Sequence, residues 1–170
     1  MGKQGLGRVL AAVALTVAAV SAAAVPAAAG QDSAQRCAAG EVVVDRFFEG
    51  YSPSPDTSRL FVLTLKGHEG VDCVLSGPLV YTRFYDTNDQ PIDVPFSAKP
   101  ARLPVESVHV TEDRPAFIYI WAPKTGTGFG YPVGRTDFNA PTAPLTPLSV
   151  TWPRPVYGPL QFTWITEGVS

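Results

Sequence analysis

Histidine, cysteine and lysine are scarce in this chain of 170 residues: two His, two Cys, and four Lys, one of which stands at position 3. The shortage of lysine and the lack of any Lys/Arg cluster remove the charged surface that phosphate backbones require, so nucleic acid is excluded as a partner. With only His68 and His109, and no Gly-x-Ser-x-Gly, the sequence shows no spaced partners for a Ser-His-Asp system or a metal centre. Two Cys without a neighbouring His make neither a zinc site nor a redox Cys-x-x-Cys. Gly126-Thr127-Gly128-Phe129-Gly130 lacks the Gly-Lys-Ser/Thr ending of a phosphate loop, and no helical pattern follows it. No window after Gly30 sustains a 3.6-residue period, and sixteen of the seventeen Pro lie beyond it, which leaves no room for long helices.

What the N-terminus does contain is an export pattern. Lys3 and Arg8 precede an Ala/Val run from Val9 to Val25, then Pro26 and Ala27-Ala28-Ala29. A positive end, an apolar middle and an Ala-x-Ala site make a signal peptide, with cleavage expected after Ala29 and with Ala24 and Ala34 as alternatives. The run falls short of the ~20 strongly apolar residues of a spanning helix. Cys37 follows Ser33-Ala34-Gln35-Arg36 rather than a Leu-Ala-Gly-like box, so no lipid anchor is expected. The expected product is secreted and extracellular, with no membrane association after cleavage. Loss of Lys3 and Arg8 leaves 11 basic and 15 acidic residues, a net charge of −4.

In an oxidising compartment an even pair of cysteines predicts one disulfide, Cys37 to Cys73. Closing that loop would stabilise the fold by up to about 4 kcal/mol. All 18 aromatic residues follow the signal, and the length suits one core. The domain reading is therefore a signal peptide at 1–29, a disordered lead-in at 30–36 and a single domain at 37–170.

Within that domain short strand signals recur. Val42–Phe48, Arg59–Lys66, Cys73–Leu75, Leu79–Asp86, Ile92–Phe96, Val105–Thr111, Ala116–Trp121, Leu148–Trp152 and Leu160–Thr166 are β-branched or aromatic stretches separated by turns. Asp86-Thr87-Asn88-Asp89-Gln90 reads as a hairpin loop joining antiparallel strands, and Ala116–Trp121, apolar on both faces, belongs at the centre of a sheet. Trp164 is expected beside Leu160 and Phe162, and an edge strand is expected around Phe129-Gly130-Tyr131. The fold class is all-β: a two-sheet antiparallel sandwich of immunoglobulin-like type with about eight strands, a closed barrel being the other arrangement. Prolines in and beside the strands blunt exposed edges, which suits a monomer.

Cys37, Leu63-Thr64-Leu65, Cys73-Val74-Leu75-Ser76-Gly77-Pro78 with Val80, then Asp86, Pro91-Ile92 and Leu148-Ser149-Val150 with Pro153 resemble the domain-of-unknown-function 4232 family of secreted and lipid-anchored actinobacterial proteins. The resemblance covers most of residues 37 to 153. The chain departs from it in having no cysteine in the C-terminal half. It implies an extracytoplasmic β-sandwich and carries over no reaction and no site residues.

Candidate chemistry is thin. His109 alternates with Val108 and Val110 and should point outward. Glu106, Glu112 and Asp113 are the carboxylates available for hydrolysis, though Glu112-Asp113-Arg114-Pro115 reads as a solvated turn. Asp86-x-Asn88-Asp89 offers oxygens to a Ca²⁺ ion but lacks the EF-hand's glycine and distal glutamate. No catalytic residue, metal or cofactor is expected. Trp152-Pro153-Arg154-Pro155-Val156-Tyr157-Gly158-Pro159 reads as a stiff loop on which Trp152 and Tyr157, with Tyr131 from the loop starting at Lys124, would stack on a sugar ring. The competing reading puts Trp152 in the core. The expected function is a non-catalytic extracellular interaction module for a cell-envelope component or extracellular protein, with a carbohydrate-binding module as the alternative.

Overall fold

The computed structural model describes residues 35–99, 107–124, 133–141, 147–156 and 158–168, all within the compact unit at 32–170. The segment 1–29, expected as a signal peptide, lies outside them, as do Glu106, Tyr131, Tyr157 and the strand expected around 129–131.

Eleven strands occur among the described residues: β1 (Val42–Gly50), β2 (Ser58–Gly67), β3 (Cys73–Leu75), β4 (Val80–Asp86), β5 (Pro91–Ile92), β6 (Phe96–Lys99), β7 (Val108–Val110), β8 (Ala116–Pro123), β9 (Val133–Asn139), β10 (Pro147–Val156) and β11 (Leu160–Thr163). They form a five-stranded sheet ordered β1-β2-β8-β11-β6, a four-stranded sheet ordered β10-β9-β4-β5, and a β3-β7 pair. The all-β sandwich expected from strand spacing is the architecture observed. Alternation sends Phe61, Leu63 and Leu65 of β2, and Ala116, Ile118 and Ile120 of β8, to one side of the large sheet. These residues are buried with Phe84, Phe138, Val150 and Trp152 of the other sheet in one core. Phe61 meets Trp152 edge-on at 4.8 Å, and Phe84 meets Phe162 at 6.3 Å, so aromatic contacts bridge the sheets.

The predicted disulfide is present. Cys37 and Cys73 are bonded with their Cα atoms 4.8 Å apart. Beside it, Val74 N donates to Gln35 O and Cys37 N to Val74 O. Gln35 and Arg36, expected in the disordered lead-in, are thus tied to β3, because an edge strand offers backbone groups that need partners.

Four further readings are corrected. The stretch after the 86–90 turn is not one strand. β5 pairs antiparallel with β4 through Phe84 and Tyr85 only, and the chain then crosses to the other sheet, where Phe96–Lys99 runs parallel to β11. Pro95 sits at the crossing, where it donates no bond and its carbonyl accepts from Leu160 N at 2.9 Å. Trp164 does not join Leu160 and Phe162. At Trp164 and Ile165 the backbone leaves the β8 ladder, with Trp164 N bonding Lys99 O and Ile165 N bonding Gly77 O, so Ile165 is buried and Trp164 is exposed; Thr166 rejoins β8 by exchanging two backbone bonds with Phe117.

β9 is an unforeseen interior strand. Its Gly134 permits a close approach, since a Cβ there would lie 2.8 Å from Asp86 O and 2.9 Å from Thr87 Cα. Lastly, the proline-rich segment expected as a loop continues β10 to Val156. β10 is the edge strand, so Pro153 and Pro155 withhold no N–H that an inner ladder would need, and the register shifts between Thr151 and Val156.

Candidate functional site

Trp152 is not a ligand platform. It is 5% exposed, its Nε1 donates to Thr136 Oγ1 at 2.9 Å, and its ring packs edge-on against Phe47 and Phe61. The phase of β10 turns Val150 and Trp152 inward together, so the core reading of this ring holds. Its expected companions Tyr157 and Tyr131 lie outside the described residues.

The aromatic surface lies elsewhere. β8 is central, as predicted, but it is not buried on both faces. Ala116, Ile118, Ile120 and Ala122 are buried, while the alternate residues Phe117, Tyr119, Trp121 and Pro123 are half-buried on the outer face of the five-stranded sheet. Their ring centroids follow at 6.4 Å steps, with Phe117 and Tyr119 nearly parallel at 16° and Tyr119 and Trp121 inclined at 42°. The register sets Thr64 beside Phe117, Val62 beside Tyr119 and Leu60 beside Trp121. Phe48 of β1, opposite Val62 and 44% exposed, widens the strip. Leu60, Val62 and Thr64 are themselves buried, a floor beside the β8 rings in which Val62 is flanked by Phe48 and Tyr119.

Both backbone edges of β8 are occupied, by β2 and by β11. A ligand on this face therefore meets side chains, not unpaired main-chain groups. At the Trp121 end the strip opens into a cavity of about 280 Å³ lined by Ser58, Trp121, Pro159 and Gln161 among others. Gln161 is directly opposite Trp121 in the ladder and is exposed.

The catalytic candidates do not assemble. His109 is exposed, as its alternation with valines predicted, and its Nδ1 lies 3.4 Å from Asp72 Oδ1, a pair 48% and 71% exposed with no cleft among those described here around it. His68 is exposed in its turn. Glu112 and Asp113 are exposed in a turn closed by Thr111 N on Arg114 O. In the 86–90 turn the Asp86 carboxylate accepts from Asn88 N at 2.7 Å and Gln90 N at 2.8 Å, and Asp89 bonds Arg135. The calcium candidates are thus engaged in holding the turn.

That turn borders an ionic network on the outer face of the four-stranded sheet. The Arg135 guanidinium bonds Asp89 and Asp137 and lies 3.9 Å over the Tyr85 ring, while Ser149 Oγ donates to Asp137 at 2.7 Å. Its hydrogen bonds to Asp89, then to Asp137, raise the guanidinium pKa further. The network satisfies itself.

The fold and this surface define a disulfide-bridged β-sandwich with an aromatic outer sheet face. No family model, curated protein or solved structure matches the chain.

Proposed function

We propose that this chain is a non-catalytic interaction module, secreted after cleavage behind Ala29, whose binding surface is the Phe117–Tyr119–Trp121 row. The observation that carries the reading is the row itself. Solvent-facing positions of a central strand ordinarily take polar residues, and three successive aromatic side chains there carry a solvation cost that a bound partner removes. The disulfide supports an extracytoplasmic setting. Membership of the domain-of-unknown-function 4232 family is proposed on the residues quoted above, and the partner on this reading is a component of the cell envelope or its surroundings.

The test is retention of the purified mature protein on an envelope polysaccharide preparation, compared with the triple variant Phe117→Thr, Tyr119→Thr, Trp121→Thr. The wild type should be retained and the folded triple variant should elute with the void. Equal behaviour of the two proteins, retained or not, overturns the reading. Secretion is tested by N-terminal sequencing of the exported product, which should begin at Gly30.

A carbohydrate ligand is the second reading, and one observation favours it. With both edges of β8 paired, an extended peptide cannot add as a strand on this face, whereas a sugar needs only ring faces and side-chain hydrogen-bonding groups such as the Tyr119 hydroxyl and the Gln161 amide.

A further inference from the structure

The aromatic row leads to a cluster of cations. Two residues beyond the Trp121 position of β8's outer face the chain leaves Pro123 for Lys124, and the Trp121 cavity shares Ser58 with a second cavity of about 300 Å³ lined by Tyr51, Arg59, Lys124, Arg154 and Glu49. Three cations thus surround one carboxylate in a chain whose net charge is −2. Glu49 holds the two arginines by one nitrogen each, Nε of Arg154 at 2.9 Å and Nε of Arg59 at 3.9 Å. A guanidinium has five N–H donors, so each arginine carries donors beyond the Nε that lies against Glu49. Lys124 makes no ion pair among the described residues, and its backbone N is fixed on Thr57 O at 3.0 Å. Tyr51, 84% exposed, stands at the same cavity with its hydroxyl.

Resting on the reading of the row as a binding surface, we infer that row and cluster form one site for an acidic polysaccharide. The sugar rings lie on Phe117, Tyr119 and Trp121, and a uronate carboxylate is taken by Arg59, Arg154 and Lys124. Charge complementarity selects the anion, since an excess of two positive charges over Glu49 attracts and orients a carboxylate and the planar fork of arginine matches its two oxygens. The apolar strip adjoining it selects a ligand with a flat C–H face over a bare anion, and the paired edges of β8 select against an extended peptide.

The test is affinity electrophoresis of the mature protein with polygalacturonate, its fully methyl-esterified form and poly-glutamate as probes. Polygalacturonate should retard the wild type, and esterification should weaken binding at least about tenfold, the worth of a charge-assisted hydrogen bond. Lys124→Gln should weaken it by a similar factor. Glu49→Gln should strengthen it, because the arginine donors and the local positive potential are released to the ligand; a merely structural ion pair would give no gain.

Equal retardation by the free and esterified polymers would overturn the anion site while leaving the row in place. Binding of poly-glutamate as tight as polygalacturonate would overturn the saccharide assignment in favour of an acidic peptide. Row-dependent retention on envelope material without retardation by either polygalacturonate form would overturn the acidic-polysaccharide inference alone.

Discussion

The two sheets share one kind of inner face and differ in the outer one. Inward, β2 and β8 present Phe61, Leu63, Ile118 and Ile120, and β4, β9 and β10 present Phe84, Phe138, Val150 and Trp152, all buried. Outward, the four-stranded sheet sets Tyr85, Arg135 and Thr151 in one cross-strand row and Arg83, Asp137 and Ser149 in the next. The five-stranded sheet sets Phe48, Val62 and Tyr119 in such a row, with Leu60 and Trp121 beside it. Either outer face can complete a stable sandwich, as the ionic one demonstrates, so folding alone does not call for the aromatic one. A surface that differs from its sister by several rings is where selection for binding is to be sought.

The sharpest way to break this comparison uses its two tryptophans. Trp152→Ala, on the inner face, removes two edge-on ring contacts and leaves Thr136 Oγ1 without its donor. It should cost about 3–5 kcal/mol in urea unfolding. Trp121→Ala, on the outer face, should cost far less and should instead abolish retention on polysaccharide. Similar losses of stability would make the outer row a second core. The next largest effect is expected from Cys37→Ala with Cys73→Ala, which frees a segment of sequence separation 36 and should cost about 2–4 kcal/mol. Because the bridge lies at β3, outside both large sheets, polysaccharide binding by the folded variant should be unchanged.

How much of this was legible in the sequence differs between the same two sheets. The core strands of the large sheet announce themselves through β-branched and aromatic runs, and the export expected from the N-terminal pattern, with an even cysteine count, is enough to predict the pairing of Cys37 with Cys73. β9 was not legible, because Val133-Gly134-Arg135-Thr136-Asp137-Phe138-Asn139 is poor in strand formers; its cross-strand partners Tyr85, Ser149 and Trp152 hold it, and such pairs depend on register. The prolines of β10 concealed a strand for a related reason, since only knowledge that it is an edge makes them permissible. The candidate site was half visible. Phe117, Tyr119 and Trp121 are recognisable as strand residues, and their apolarity on both faces points to the central place in the sheet that β8 takes, but not to an exposed aromatic row. A period-two run of aromatics is consistent with either burial or an outer binding face, and only the sheet order and the packing of that face, where Gly168 lies against the Phe117 ring, separate them. The Arg59–Lys124–Arg154 cluster joins three distant segments and leaves no local signal.

A smaller effect is expected from the outer row one residue at a time. Phe117→Thr and Tyr119→Thr replace strand formers by another strand former and should shift stability by no more than about 1 kcal/mol each, as read by thermal unfolding. Binding should fall with each substitution. A loss of stability as large as that of the disulfide variant would show that the rings are structural and would close the gap between the two outer faces.

The smallest effect belongs to the ionic face and has a definite sign. Burial pushes the Asp137 carboxyl up, but the hydrogen bonds from Ser149 and Arg135, the positive charge of Arg135 and the hydrogen bond from Tyr85 together outweigh it and hold the pKa below the ordinary 3.8. A carboxyl with a lower pKa folded than unfolded binds its proton more weakly in the native state. Its contribution is therefore complete above the unfolded value and is lost as pH falls through the folded one. The urea midpoint of the wild type should accordingly decline on acidification below the ordinary carboxylate range. Asp137→Asn should lower the midpoint at neutral pH and make the acid decline shallower, because the group that titrates between the two states is gone. Since Arg135 stays protonated across this range, any pH dependence of the network must come from its carboxylates. An acid limb of unchanged slope in Asp137→Asn would overturn the assignment of this pH dependence to Asp137.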